Sequence, residues 1–278
     1  MDDKVSIIVR TCGRPYILQK ALNSIQAQTY KNIEIIVVED GKATAREMIE
    51  CNYKNCDIHY FSTNEKKGRA IAGNLALEKA SGTFFNFLDD DDILYPKHVE
   101  LLLKAIDESK ALAAYGIADE SQIKVISEKP YCFKEKRVIQ RYKQPYNRLL
   151  LYSFNYIPIQ SILFSRIFYD KLGGFDENLD YLEDWDIWVR YSTMSDFLYV
   201  PCITSKYFIP HKRKQKTERS AELDHTLKRV KKKFEQYQMI TTVDKIHREM
   251  DYVINVYNQK NFYYYLKQIW NFMVYGDR

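Results

Sequence analysis

The sequence has no run of apolar residues approaching the roughly 20 that a membrane-spanning helix needs, and we expect no signal peptide ahead of the first strand at MDDKVSIIV. Its five cysteines are odd in number and form no C-x-x-C pair, so they indicate neither a zinc site nor a disulfide framework. There is no internal repeat and no low-complexity linker. These absences favour a reduced, cytosolic protein that is soluble or peripheral to a membrane.

The composition is that of a globular protein. With 278 residues, 46% hydrophobic and 28% charged, the chain is long enough for one large domain or one domain with an appendage. The formal net charge of +5 is unevenly distributed: residues 206–278 carry 16 Lys and Arg against 8 Asp and Glu, a net of +8, which leaves −3 for the rest. The basic C-terminal tail therefore needs its own explanation.

Apolar runs of strand length alternate with helical patterns in the first hundred residues. The runs are Val5–Arg10, Ile33–Val38, Ile58–Phe61 and the segment FFNFL that begins at Phe84. This alternation indicates a parallel sheet covered by helices on both faces, in which ligands bind at the carboxyl ends of the strands. Thr11, Asp40 and the run Asp89–Asp92 follow three of these strands, so we expect them on one rim.

The four consecutive aspartates allow two interpretations. Adjacent like charges repel, so such a cluster is either a solvated acidic turn or a site neutralised by a cation. Its position after a strand favours the second interpretation, since hard oxygen ligands suit Mg²⁺ or Mn²⁺ that holds a phosphorylated substrate. Pro96 then opens a helix that we predict from Lys97 to about Asp107.

The second half of the chain is less regular. We predict strands at 111–118, 123–127, 162–164 and 197–200, an unpatterned basic segment over 131–146, and a helix that begins near Leu182-Glu183-Asp184. After His211 comes a basic loop that could close over a diphosphate. Three helical stripes follow. They consist of Leu223, Leu227, Val230, Phe234 and Tyr237; then Ile246, Met250, Val253 and Tyr257; then Phe262, Leu266, Ile269 and Met273.

Several of these segments together resemble an inverting glycosyltransferase of family two, which has the GT-A fold. The matching segments are a first strand that ends in Thr-x-Gly-Arg-Pro at 11–15, VVEDG at 37–41, GRAIAGNLALEKASGTFFNFLDDDDILYP from Gly68, and GGFDENLDYLEDWDIWVRYS from Gly173. The resemblance covers roughly Val5 to His211. It implies a GT-A catalytic domain over 1–211, with a donor half (about 1–110) and an acceptor half (about 111–211), followed by a basic loop and helical extension at 212–278.

The resemblance also implies a binding site for a nucleotide-diphosphate sugar, most likely UDP-linked. Asp40 would accept a hydrogen bond from the uracil imide, although a carboxylate here could simply form a turn. Thr11 would line the base pocket, Arg69 would meet the nucleotide or its diphosphate, and Arg14 lies beside them in a role that stays open. The departure from the common VVDDGS to VVEDGK keeps Asp40 in register.

In the aspartate cluster the family's Asp-x-Asp motif fits in two registers. The spacing to Pro96 favours Asp91 as the ligand of Mn²⁺ or Mg²⁺, with Asp89 or Asp90 near the ribose. The resemblance implies His211 as a further metal ligand, although a lone histidine is as often an ordinary surface or core residue.

On the acceptor side the resemblance implies that Asp184 is the general base, which takes the proton of the attacking hydroxyl. Without the resemblance, Asp184 would be interpreted as a helix cap. Glu183 would position either the acceptor or Asp184. Trp185 and Trp188 could stack on a sugar ring, although at least one of them is expected in the core.

The function that follows is a metal-dependent inverting glycosyltransferase of bacterial surface polysaccharide or glycoconjugate assembly, with a saccharide or lipid-linked acceptor. The rivals are a nucleotidyltransferase of related fold, disfavoured because the loop at 11–15 is poor in glycine, and a non-catalytic carbohydrate- or membrane-binding protein. We expect a cytoplasmic location. The basic tail would contact the inner face of the membrane, pack on the body or form a homodimer. No nucleic-acid-binding motif accompanies it.

Overall fold

The computed structural model describes residues 3–179, 181–210, 217–238 and 241–258. Its strands are β1 (Val5–Thr11), β2 (Ile33–Glu39), β3 (Ile58–Ser62), β4 (Phe84–Asp89), β5 (Ile93–Leu94), β6 (Ala113–Glu128), β7 (Tyr131–Ile139), β8 (Ile162–Ser165) and β9 (Leu198–Pro210). Its helices are α1 (Pro15–Gln26), α2 (Arg46–Asn52), α3 (Arg69–Lys79), α4 (His98–Ser109), α5 (Arg148–Ser153), α6 (Arg166–Leu172), α7 (Glu183–Ser192), α8 (Thr217–Phe234) and α9 (Val243–Asn258). A short 3-10 helix covers Ile159–Ser161.

The nine described strands form one sheet in the order β3-β2-β1-β4-β8-β6-β9-β5, with β7 paired to β6. Strands β1 to β4 pair in parallel, as the alternating pattern predicts. Beyond β4 the sheet is mixed, because β8 runs antiparallel to both β4 and β6 while β6 and β9 are parallel. The fold class predicted from the sequence, a central sheet flanked by helices, is confirmed.

Helices cover both faces of this sheet. Because side chains alternate along a strand, Ile7 enters a core with α1 and α4, and Ile8 enters a core with α3 and α7. Both isoleucines are fully buried, and each such side chain contributes about 1.5–3 kcal/mol of hydrophobic stabilisation. The candidate site lies between the two cores, at the carboxyl ends of the parallel strands.

The described part of the tail packs on the α7 face. Val230 is fully buried there, and Leu227, Phe234 and Tyr237 pack against the same core, which confirms the first stripe. In α9 the contacts come from Tyr252 and Val253, whereas Met250 is 45% exposed, so the second stripe is only partly right. The third predicted stripe lies outside the described residues.

The irregular segments differ most from the sequence expectation. One continuous strand, β6, replaces the two predicted strands at 111–118 and 123–127, and β9 extends much further than 197–200. The segment 131–146 contains β7, which pairs with β6 in a hairpin. Only Tyr131, Phe133 and Ile139 of β7 are partly buried and the five residues 134–138 between them are all exposed, so the period of two does not extend along the strand.

Candidate active site

The carboxyl ends of β1, β2 and β4 meet at one edge of the sheet, as the sequence predicts. Arg10 of β1 is in register with Asp89 of β4. Beyond the strands, the Asp40 amide donates to the Thr11 carbonyl at 2.8 Å and the Asp90 amide to the Arg10 carbonyl at 3.2 Å. The parallel register therefore brings Thr11, Asp40 and the aspartate cluster onto one rim.

Two of the four aspartates are committed to partners in the β1 segment. The Asp89 carboxylate accepts hydrogen bonds from Arg10 Nε at 2.9 Å and Arg10 Nη2 at 2.7 Å. Asp90 accepts from Thr11 Oγ1 at 2.6 Å and from Arg14 Nε at 3.1 Å, and Arg14 Nη2 binds its other oxygen. Arg14, whose role the sequence left open, thus forms a bidentate ion pair with Asp90.

The other two aspartates differ in accessibility. Asp92 is 8% exposed and accepts the backbone N–H of Phe208 at 3.3 Å, which joins the cluster to β9. Asp91 contacts Arg14 Nη1 at 3.4 Å, and its side chain is 39% exposed, against 28% for Asp89 and 0% for Asp90. Asp91 is therefore the carboxylate of this cluster with the most access to solvent and the weakest bond to the protein.

Burial and mutual repulsion make negative charge unfavourable in most of the cluster. Burial raises the pKa of Asp90 to about 7, and burial together with the Asp89 charge raises the pKa of Asp91. Burial and the neighbouring carboxylates raise the pKa of Asp92 well above its usual value. Only Asp89 has a lowered pKa: burial raises it, but the charges of Arg10, Arg69 and Arg14 and the hydrogen bonds from Arg10 together outweigh burial. Carboxylates of this kind fit a hard divalent cation such as Mg²⁺ or Mn²⁺, which would relieve the repulsion.

A second acidic group lies at the opposite edge of the sheet. Glu34, Asp57 and His59 are close enough to share a cation, and they form the one such group of three found among the residues that the structure describes. Lys4 already occupies this position, with Nζ at 2.8 Å from Glu34 and 3.1 Å from Asp57. We therefore interpret it as an ion-pair network at the amino ends of the strands.

Asp40 organises the loop that leads to α3. Its carboxylate accepts the backbone N–H groups of Lys67 at 2.7 Å and Gly68 at 3.0 Å. These bonds give the turn-forming interpretation a structural basis. They leave lone pairs for a further donor, since a carboxylate offers about four acceptor positions. The contact with uracil expected from the resemblance stays a prediction.

The preceding residue, Glu39, is a structural carboxylate that the sequence analysis missed. It is fully buried and accepts hydrogen bonds from the backbone of Gly13 at 3.1 Å and of Ala45 at 3.0 Å, and from the hydroxyls of Thr44 and Tyr60. It therefore fixes the loop after β1 and the start of α2. The available signal was a glutamate at the carboxyl end of a strand whose four preceding residues are all apolar.

Arg10 is the second residue that the sequence analysis missed. It is 6% exposed, and besides Asp89 it binds Glu183, with 3.1 Å between Nη1 and Oε1. Arg69, the first residue of α3, approaches the same Glu183 oxygen at 3.7 Å with its side chain 52% exposed. Glu183 is 3% exposed. Its carboxylate is thus committed to arginines, which favours the positioning alternative, and contact of Glu183 with an acceptor stays a prediction.

Asp184 lies at the start of α7 in a partly buried position. Leu182 occupies the N-cap with φ 61° and makes no side-chain capping bond, a left-handed conformation that costs about 1 kcal/mol in a residue of this kind. Asp184 accepts Asn155 Nδ2 and the Trp185 backbone N–H, both at 2.8 Å. Burial, and then the Glu183 charge, raise the pKa of Asp184 to about 7. The carboxylate does not cap the helix, and its pKa suits a general base at neutral pH.

Both tryptophans of α7 belong to the core. Trp185 and Trp188 are 2% and 0% exposed. The Trp185 indole N–H donates to the Leu151 carbonyl at 2.6 Å, and its ring packs edge-to-face on Phe234 of α8 at 5.1 Å between centroids. Trp185 is therefore a buried core residue in this arrangement, and its stacking on a sugar stays a prediction.

Two further expectations lie outside the described residues. These are His211 as a metal ligand and the basic loop after it as a lid. The last described strand, β9, ends at Pro210 after passing the aspartate cluster at Phe208. The roles of both segments stay predictions.

Comparisons with known proteins agree with this geometry. The architecture is that of the GT-A glycosyltransferases: the UDP complex of Staphylococcus aureus TarS 1–349 superposes with a TM-score of 0.66 at 17% identity, over 87% of this chain and 68% of that one. The mannosyltransferase PcManGT from Pyrobaculum calidifontis, solved with GDP-Man and Mn²⁺, gives 0.61 at 17% identity, over 86% and 66%.

The sequence comparisons define the family. The model of glycosyl transferase family 2 matches residues 6–172, and this chain belongs to that family. An uncharacterized glycosyltransferase of Rickettsia prowazekii is 30% identical over 202 residues, 70% of this chain and 60% of that protein. A GalNAc(5)-diNAcBac-PP-undecaprenol beta-1,3-glucosyltransferase of Campylobacter jejuni is 39% identical over 111 residues, 39% of this chain and 36% of that protein. The chain thus spans about 60% of the length of the first relatives it matches.

Proposed function

We propose that this protein transfers a sugar from a nucleotide-diphosphate donor, a UDP-sugar, to an acceptor hydroxyl with inversion at the anomeric carbon. The observation that carries the proposal is the position of Asp184. A carboxylate with a pKa of about 7 is joined through its neighbour Glu183 and through Arg10 to the aspartate cluster. A general base for the acceptor thus lies beside a site for the donor's diphosphate.

On the donor side, Asp91 is the proposed ligand of Mn²⁺ or Mg²⁺, because it is the most accessible carboxylate of the cluster. Such a cation supplies electrostatic stabilisation of the diphosphate that leaves. Asp89 and Asp90, held by Arg10 and Arg14, would face the ribose. The register of the Asp-x-Asp motif is then Asp89 with Asp91.

The remaining donor contacts come from the rim around the cluster. Arg69, half-exposed at the start of α3, would contact the diphosphate, and Arg14 could do so with the part of its guanidinium that faces solvent. Thr11, expected to line the base pocket, donates to Asp90, and its hydroxyl would then lie toward the ribose. Asp40 would accept from the uracil imide.

On the acceptor side, Asp184 would take the proton of the attacking hydroxyl. In an inverting displacement the acceptor oxygen attacks the anomeric carbon from the face opposite the diphosphate, so one base is sufficient. Asn155 and the Trp185 amide hold both oxygens of Asp184, which fixes its orientation. Because its pKa is raised to about 7, Asp184 can accept a proton effectively at neutral pH.

We infer a saccharide acceptor of bacterial surface glycoconjugate synthesis, presented on a lipid carrier at the inner face of the membrane. The Campylobacter relative, whose name includes an undecaprenol-linked acceptor, supports this choice. No helix among the described residues has the length and apolar character to cross a bilayer. All five cysteines are free thiols, as expected in a cytoplasmic protein. Contact with the membrane would then be peripheral.

The test compares donor binding with turnover in Asp184→Asn. We expect UDP release from a panel of UDP-sugars, with Mn²⁺ present, to fall at least 100-fold, because the base contribution is commonly 10²–10⁴-fold. The affinity for UDP and Mn²⁺ by titration calorimetry should stay within about threefold, since the substituted side chain keeps the same size and its one amide oxygen can still accept from the Trp185 backbone N–H. Loss of binding together with turnover would indicate a structural role, and binding without turnover in the parent protein would favour a non-catalytic binding module.

A further inference from the structure

Arg10 connects the two halves of the candidate site. It lies in β1, an otherwise apolar strand, and is 6% exposed. Its Nε and Nη2 atoms donate to Asp89 Oδ1 at 2.9 and 2.7 Å, and its Nη1 atom donates to Glu183 Oε1 at 3.1 Å. One guanidinium therefore binds a carboxylate of the donor side and a carboxylate of the helix that carries Asp184.

The packing around Arg10 leaves the guanidinium little freedom. Its Cζ atom lies 5.8 Å from the ring centroid of Phe87 and 5.4 Å from that of Phe175. A Cβ atom at Gly73 of α3 would come within 2.5 Å of the Phe175 ring, so this helix has space for Phe175 only because residue 73 is glycine. A planar, five-donor group held between rings keeps a fixed hydrogen-bonding geometry.

Arg10 acts on Asp184 electrostatically by two routes. Burial contributes most to the raised pKa of Asp184; the Glu183 charge raises it further, and the Arg10 charge lowers it. Asn155 is a neutral partner, and Arg69 acts through Glu183 at 3.7 Å. Because Arg10 also binds Glu183, it holds in place the carboxylate whose effect on the pKa of Asp184 it partly offsets.

We propose that Arg10 is a positioning residue: it holds Glu183 beside Asp184 and ties the start of α7 to the donor carboxylate Asp89, so that donor site and base keep a fixed relation. This inference rests on the proposed function. It assigns to Arg10 no contact with the substrate.

The experiment records the pH dependence of Mn²⁺-dependent UDP release, using the UDP-sugar that gives the fastest release. In Glu183→Gln, which keeps an oxygen for Arg10, the charge that raises the pKa of Asp184 is gone, so the acidic limb should move to lower pH by roughly half to one unit. Adding Arg10→Met to the Glu183→Gln variant removes the cation that lowers the pKa of Asp184. The acidic limb should then move back to higher pH.

The matched control is Arg148→Met, which removes another buried arginine, one that is ion-paired to Asp196 at 2.6 Å. It should leave the acidic limb in place. An unmoved limb in Glu183→Gln overturns the inference, and this variant suffices if Arg10→Met does not fold. If the inference fails while Asp184→Asn is inactive, the proposed function stands. If Asp184→Asn retains the rate and the acidic limb, the proposed function itself fails.

Discussion

Asp91→Asn separates the metal ligand from its three chemically identical neighbours. Asp89, Asp90 and Asp92 are committed to Arg10, to Thr11 with Arg14, and to the Phe208 amide, whereas Asp91 makes only a 3.4 Å contact to Arg14 and is 39% exposed. The gross attraction between a unit charge and a divalent cation at 4 Å is about 8 kcal/mol at an effective dielectric constant of 20. Desolvation cancels much of it.

We therefore expect a net loss of about 3 kcal/mol, which corresponds to a roughly 100-fold weaker Mn²⁺ affinity in the presence of UDP. Titration calorimetry and the electron paramagnetic resonance signal of free Mn²⁺ would measure it. Asp92→Asn is the matched control: an amide oxygen can still accept from Phe208, and the affinity should change less than about threefold. Retained affinity in Asp91→Asn with lost affinity in Asp92→Asn would refute the assignment.

Two further predictions concern stability. Hydrogen bonds from Lys4, Ser6 and Ser81 outweigh burial and lower the pKa of Glu34 from 4.5 to about 2. Glu34 should therefore contribute about 2 kcal/mol above pH 4.5 that is lost as the pH falls toward 2, and acid titration of Glu34→Gln should lack that loss; equal acid sensitivity would contradict it. Lys233 binds the fully buried Asp186 at 2.9 Å, so Lys233→Met should lower the free energy of unfolding in urea by about 2 kcal/mol, whereas the exposed Lys232→Met should change it by less than about 0.5 kcal/mol. Equal effects would contradict a stabilising ion pair between Lys233 and Asp186.

The sequence was most informative where strands are buried on both faces. Apolar runs locate β1, β2 and β4, and the polar residues after them locate the rim, because the parallel register follows from the alternation of strands and helices. The hairpin of β6 and β7 escaped prediction for the converse reason. Its second strand, β7, is largely solvent-exposed, so the sequence of β7 shows no sustained alternation to detect.

Within the site, the residues that the sequence missed act through contacts between distant segments. Arg10 and Glu183 are 173 positions apart, and an arginine at the end of an apolar strand gives no indication of which carboxylate it meets. The four aspartates are equivalent as a sequence and differ only in their partners. The burial of both Trp185 and Trp188 could not be predicted, because their spacing does not tell which face of α7 the body and α8 cover.

In the proposed mechanism, an acceptor activated by Asp184 displaces the diphosphate in one step. The stereochemistry of the product tests this displacement. With water as the acceptor, Mn²⁺-dependent hydrolysis of an α-linked UDP-sugar can be followed by proton NMR before the anomers equilibrate. We predict the β-anomer as the first product. Release of the α-anomer would mean retention, which a single base at Asp184 does not provide, and would contradict the proposed mechanism.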